Sequence, residues 1–142
     1  MPNPLVLLIE DDSRLCDTIS DLLQLLGIEY RVARNDTISR ASLIALAPDL
    51  ILLDLPLCSR RSYDLVTEVC RDFRLRQTKL VLIAADEYAD TPECRLADVV
   101  LTKPFAVGEL ETALRRLLGQ HHIPETMPPG APFALQASSA QG

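Results

Sequence analysis

A chain of 142 residues that is 48% hydrophobic has enough apolar material for one domain with a sizeable core, and too little length for two ordinary ones. Its net charge of −6 argues against a phosphate-backbone binder, since such proteins concentrate positive charge, so direct nucleic-acid binding is not expected. No stretch is long and apolar enough to span a bilayer, and Glu10 to Asp12 stand where a signal peptide would need basic residues before an apolar core; the sequence predicts a cytoplasmic protein with no membrane contact.

The predicted elements alternate. Leu5 to Ile9 is a continuous aliphatic run that stops at Glu10-Asp11-Asp12 and reads as a strand. Ser13 is placed to cap a helix reaching Leu26, with Leu15, Ile19, Leu22, Leu23 and Leu26 at helical spacing and Gly27 as its stop. Ile28 to Ala33 reads as a second strand. Asp36 or Thr37 opens a helix through about Leu46, and Pro48 breaks the chain before a third strand that ends at Asp54. Ser62 to Phe73 is amphipathic, with Leu65, Val66, Val69 and Phe73 on one face, and Lys79 to Ala84 is a fourth strand. Between Ala85 and Ala97 the residues Asp86, Asp90 and Pro92 break any helical stripe, which predicts a loop or a single turn. Val99 to Thr102 then runs into Lys103-Pro104, and Val107 to Leu118 carries Leu110, Leu114, Leu117 and Leu118 as a last amphipathic helix.

This is βα repeated five times, and it places one unit over residues 1–119. From Gln120 the composition turns to His121, His122, four prolines from Pro124 to Pro132 and small polar residues, which predicts a flexible tail or linker over 120–142. The adjacent histidines cannot both face one metal from a helix. Cys16, Cys58, Cys70 and Cys94 are scattered without zinc or redox spacing, so they read as free and mostly buried thiols.

The chemistry lies where three of the apolar runs stop. Continuous aliphatic strands are buried on both faces, and the carboxyl ends of such parallel strands open onto one crevice. Glu10, Asp11, Asp54 and Lys103 would meet there. Carboxylates brought together repel, so the set is tolerable only around a hard divalent cation or the lysine ammonium, and it suits Mg²⁺ and a phosphoryl group.

Three motifs in this order, Leu7-Leu8-Ile9-Glu10-Asp11-Asp12, Pro48-Asp49-Leu50-Ile51-Leu52-Leu53-Asp54 and Thr102-Lys103-Pro104-Phe105, resemble the receiver domain of two-component response regulators, over about Leu5 to Leu118. The resemblance implies an α/β fold: a doubly wound, five-stranded parallel sheet of flavodoxin-like type with strand order 2-1-3-4-5. In this chain the fourth helix would be shortened or irregular. It also implies Asp54 as phosphoacceptor, forming an acyl phosphate with a phosphoryl group from a sensor histidine kinase or a histidine phosphotransfer protein. Glu10, Asp11, Asp54 and the backbone carbonyl of Pro56 would hold Mg²⁺, one acid acting through water. Lys103 would contact the phosphoryl oxygens, and Pro104, a cis proline in that family, would aim it. The chain would then be no enzyme beyond its own phosphotransfer.

Departures from the family pattern are specific. The hydroxyl residue expected at the end of the fourth strand is Ala84, and the aromatic switch residue of the fifth strand is Val100, so neither can make the usual coupled motion. Cys58, Arg61 and Ser62 also replace the usual residues after the acceptor. Signalling would pass through a partner, a dimer or onward phosphotransfer by a non-standard switch. The competing reading is a pseudo-receiver, a phosphorylation-independent interaction module. A phosphatase with an aspartate nucleophile is weaker, because Pro56 stands where its second acid would be. A thin fourth helix would leave Val99, Leu101 and the last helix as an uncovered apolar face, which predicts a homodimer there.

Overall fold

A computed structural model describes residues 3–34, 38–55 and 60–119, apart from the Tyr88 side chain. Asp36, Thr37, Pro56, Cys58 and the tail from Gln120, with His121 and His122, lie outside the described residues. The strands are β1 (Leu5–Ile9), β2 (Glu29–Ala33), β3 (Leu50–Leu55), β4 (Lys79–Ala85) and β5 (Val99–Lys103); the helices are α1 (Ser13–Leu25), α2 (Arg40–Leu46), α3 (Arg60–Arg71), α4 (Pro92–Arg95) and α5 (Val107–Leu118). All strand pairs are parallel and the order is β2-β1-β3-β4-β5, as the resemblance implies.

Residue alternation splits the core into two layers. Val6, Leu8, Leu50, Leu52, Val81, Ile83 and Leu101 pack with α1 and α5 through Ile19, Leu22, Leu23, Leu110 and Leu114. Leu7, Ile9, Ile51, Leu53, Leu55, Leu80, Leu82 and Ala84 face the other way, onto Leu43 of α2 and Leu65, Val66 and Val69 of α3. The central strands are therefore buried on both faces, as their unbroken aliphatic runs require.

Local chemistry moves several predicted boundaries. The cap of α1 is Asp12 rather than Ser13: its carboxylate accepts from Arg14 N at 2.9 Å and Leu15 N at 3.4 Å, while Ser13 is already the first helical residue. Gly27 stops α1 at φ 70°, a conformation costly for other residues. Helix α2 starts only at Arg40, where Ser39 accepts from Ser42 N at 3.1 Å, and it ends at Leu46, capped by Ala47, which is held at φ 48° just before Pro48. The residue before a proline is pushed out of the right-handed helical region, which explains that stop.

Phe73 does not join the apolar face of α3. The helix ends at Arg71, a 3-10 turn begins at Phe73, and the ring is 72% exposed while Leu75 takes the inward position. The weak region after β4 holds a 3-10 turn, Asp86–Tyr88, and the single-turn α4, as the broken pattern predicts. Among the described cysteines only Cys94 is buried; Cys16 is intermediate and Cys70 exposed, which corrects the expectation of mostly buried thiols. At β5 Leu101 is 5% exposed, while Val99 and Leu117 are only partly buried, packed against the α1/α5 core layer. Among the described residues no helix is long and apolar enough to cross a membrane.

Candidate functional site

The sheet register brings the site together. Ile9 pairs with Leu53, so Glu10 and Asp54, one residue further along, leave adjacent strands side by side at the carboxyl edge. On the other side Ala84 lies between Leu55 and Thr102, and Ala85 pairs with Lys103. Lys103 must therefore reach from β5 over the end of β4 to β3, across two alanines that leave room for its stem. Its Nζ stands 2.6 Å from Asp54 Oδ1. The Lys103–Pro104 peptide bond is cis.

The three acids after β1 divide their tasks. Glu10 points inward, 5% exposed, and its Oε1 accepts from Asp12 N at 2.9 Å. Asp12 caps α1 and so fixes the turn from which that N–H is offered. Asp11 is exposed at the rim and has a contact of its own. Burial, then the negative charge of Asp54, push the Glu10 carboxyl up to about 8, against the smaller opposing pull of the Asp12 N–H.

Among the described residues two buried oxygens have no aligned hydrogen-bond partner, Glu10 Oε2 and Asp54 Oδ1; the Lys103 ammonium reaches the latter as a close ion pair. Such orphaned carboxylate oxygens beside one cation fit a hard, oxygen-seeking ion. Among the described residues no three His, Cys, Asp or Glu side chains are gathered closely enough to hold a metal by themselves. A cation here would complete its shell with water or main-chain carbonyls, as Mg²⁺ commonly does. Pro56, whose carbonyl the sequence nominates, lies outside the described residues.

At the altered switch positions, Ala84 is fully buried and Val100 is partly buried against the α2/α3 core layer. Neither offers a hydroxyl or a ring. Sequence reasoning missed the capping role of Asp12, which a shift of the helix start by one residue would have revealed. It also missed two carboxylates at the opposite sheet edge: Asp49 Oδ2 accepts from Leu5 N at 2.7 Å and Asp98 Oδ2 from Leu80 N at 2.8 Å, each tying one strand to its neighbour.

No family model matches the sequence. The chain is 33% identical over 118 residues to the DNA-binding dual master transcriptional regulator RpaA of Synechocystis sp., covering 81% of this chain and 49% of that protein. It is 28% identical over 116 residues to the phosphate regulon transcriptional regulatory protein PhoB of Pseudomonas aeruginosa, covering 80% and 51%. The chain thus spans about half the length of the curated relatives it matches. Among solved structures, it is similar to the receiver domain of a sensor histidine kinase from Pseudomonas aeruginosa with a magnesium ion in its active-site cleft, at TM-score 0.60 and 26% identity over 83% of this chain and 99% of that one. A response regulator from Thermotoga maritima in complex with Mg²⁺-BeF matches in fold at TM-score 0.65, with 20% identity over 81% and 99%. With five parallel strands in order 2-1-3-4-5, two buried carboxyls and a lysine on a cis proline at their carboxyl edge, and these relatives, the chain belongs to the receiver domains of two-component response regulators.

Proposed function

We propose that residues 1–119 act as a phosphoacceptor unit, with Asp54 taking a phosphoryl group from a phosphohistidine of a sensor kinase or phosphotransfer protein, and that 120–142 are an appended tail. The observation that carries this reading is the 2.6 Å approach of Lys103 to Asp54 beside the buried Glu10. An Asp54 oxygen attacks phosphorus, the phosphorus–nitrogen bond to the donor imidazole breaks, and an acyl phosphate forms while the imidazole keeps the electron pair. Lys103 then exchanges a carboxylate for phosphoryl oxygens and so stays paired with an anion throughout. Mg²⁺, held by Glu10, Asp54 and, through water, Asp11, with the Pro56 carbonyl, would neutralise charge on the transferring group. Glu10 must release its proton to serve as that ligand.

Output would bypass the usual relay, because Ala84 and Val100 have neither hydroxyl nor ring. That same observation favours the second reading, an interaction module that no longer uses phosphorylation. Incubation with acetyl phosphate separates them: the first reading expects a Mg²⁺-dependent gain of one phosphoryl mass in the wild type and none in Asp54→Asn. An unlabelled wild type, under conditions that label an ordinary receiver domain, gives the second.

A further inference from the structure

One polar side chain at the carboxyl edge of the sheet has no task in the site described above. Among the last two residues of each strand, Thr102 alone bears a hydroxyl. No side chain or backbone group among the described residues hydrogen-bonds that hydroxyl. The residue is half-buried, so the hydroxyl is shielded without being sealed from water.

The sheet register fixes what Thr102 faces. It pairs with Ala84, and Ala84 pairs with Leu55, so the three form one row across β5, β4 and β3. Leu55 and Ala84 belong to the α2/α3 core layer, and Val100, two residues before Thr102, packs against that layer. Alternation along β5 therefore puts the Thr102 side chain on the same face, directly beside the Ala84 methyl. Asp54 and Lys103 precede and follow this row, and their ion pair spans the same strand end.

A phosphoryl group on Asp54 would bring three acceptor oxygens to this edge. Lys103 and a bound Mg²⁺ account for two of them. The third has the end of β4 next to it, and Ala84 offers no donor there. Asp54 and Thr102 are two strand spacings apart, about 10 Å. The acyl phosphate and the threonine side chain each fill part of that span, which leaves roughly the 5–6 Å that one water covers with two hydrogen bonds.

We infer that Thr102 is a positioning residue for the phosphoryl group: its hydroxyl holds a water over Ala84, and that water donates to the phosphoryl oxygen facing β4. This role rests on the acceptor reading of Asp54. It ties β5 to the state of Asp54 with no side chain swinging inward, a motion that Ala84 and Val100 cannot make. The plain alternative is a β-branched residue chosen for its strand preference, a role that valine fills equally well.

The test uses Mg²⁺ and beryllofluoride on the whole chain, the three fluorines standing for the phosphoryl oxygens on Asp54, read by fluorine NMR in wild type, Thr102→Val and Thr102→Ser. Valine keeps the branched shape and removes the hydroxyl; serine keeps the hydroxyl and removes the methyl. Thr102→Val should weaken beryllofluoride binding about fivefold, the scale of one hydrogen bond, and move one of the three fluorine resonances while the thermal midpoint stays unchanged. Thr102→Ser should match the wild type in affinity and in that resonance. Unchanged affinity and an unmoved spectrum in Thr102→Val, or a loss in the serine variant as large as in the valine one, would overturn the inference and leave the acceptor reading standing. A wild type that binds no beryllofluoride would remove the acceptor reading and this role with it.

Discussion

Replacing Lys103 by Met removes the ammonium from the acid pocket while keeping most of its apolar stem. At 2.6 Å the attraction between unit charges is about 1.6 kcal/mol in bulk water and about 6 kcal/mol at an effective dielectric constant of about 20. Asp54 is 8% exposed, which argues for the upper part of that range, but the Lys103 side chain is 37% exposed and loses hydration when it pairs. A net coupling of about 2 kcal/mol follows. Lys103→Met alone should destabilise the metal-free protein by about 1–2 kcal/mol, because the buried Asp54 carboxylate is left with no cation. Asp54→Asn alone should be neutral or stabilising, since it removes a buried charge and lets the lysine rotate into water. In the double variant the effect of the lysine replacement should vanish. Urea unfolding of the four proteins in chelator, read as a double-mutant cycle, measures the coupling. A value under about 0.5 kcal/mol would mean that the ammonium is solvated and that the acids are held together by something else.

Three further outcomes test the surrounding structure. Glu10 is protonated in both folded and unfolded chains below pH 4.5; from there to about 8 only the unfolded chain ionises it, so this group lowers stability as pH rises through that window and levels off above it. In chelator, wild type minus Glu10→Gln should show that slope, and a flat difference between pH 5 and pH 8 would contradict it. Asp12→Ala should cost about 1 kcal/mol while Ser13→Ala costs far less, as read by chemical unfolding; the reverse order would restore Ser13 as the cap. Ala47→Gly should leave stability unchanged or raise it by about 1 kcal/mol, because Ala47 sits at φ 48°, where glycine has no steric penalty; a clear loss would refute that backbone conformation.

The features legible in the sequence were those enforced by periodicity. Unbroken runs such as Leu50 to Leu53 can be buried only on both faces of a parallel sheet, and Leu110, Leu114 and Leu118 leave α5 one way to pack. The meeting of Glu10, Asp54 and Lys103 followed from the same pattern, since strand ends share an edge. What escaped depends on single contacts. Asp12 wins the capping role over Ser13 because the turn after β1 also needs its N–H for Glu10, a constraint no local propensity encodes. Phe73 continues the apolar spacing of α3 on paper, but the helix stops two residues short and Leu75 fills the core instead. At β5 the sequence could not show how far α5 covers the strand: Leu101 is buried in the core layer of α1 and α5, while Val99 is only partly buried against it.

The central claim is that Asp54 is the acceptor, and trapping the acyl phosphate tests it most directly. The wild type is labelled with acetyl phosphate and Mg²⁺, reduced with borohydride, which converts a phosphorylated aspartate to homoserine, and mapped by peptide mass spectrometry. The account predicts homoserine at position 54 alone, lost when Mg²⁺ is withheld. Homoserine at position 11 or 12, or a reduced protein with position 54 still aspartate, would contradict it.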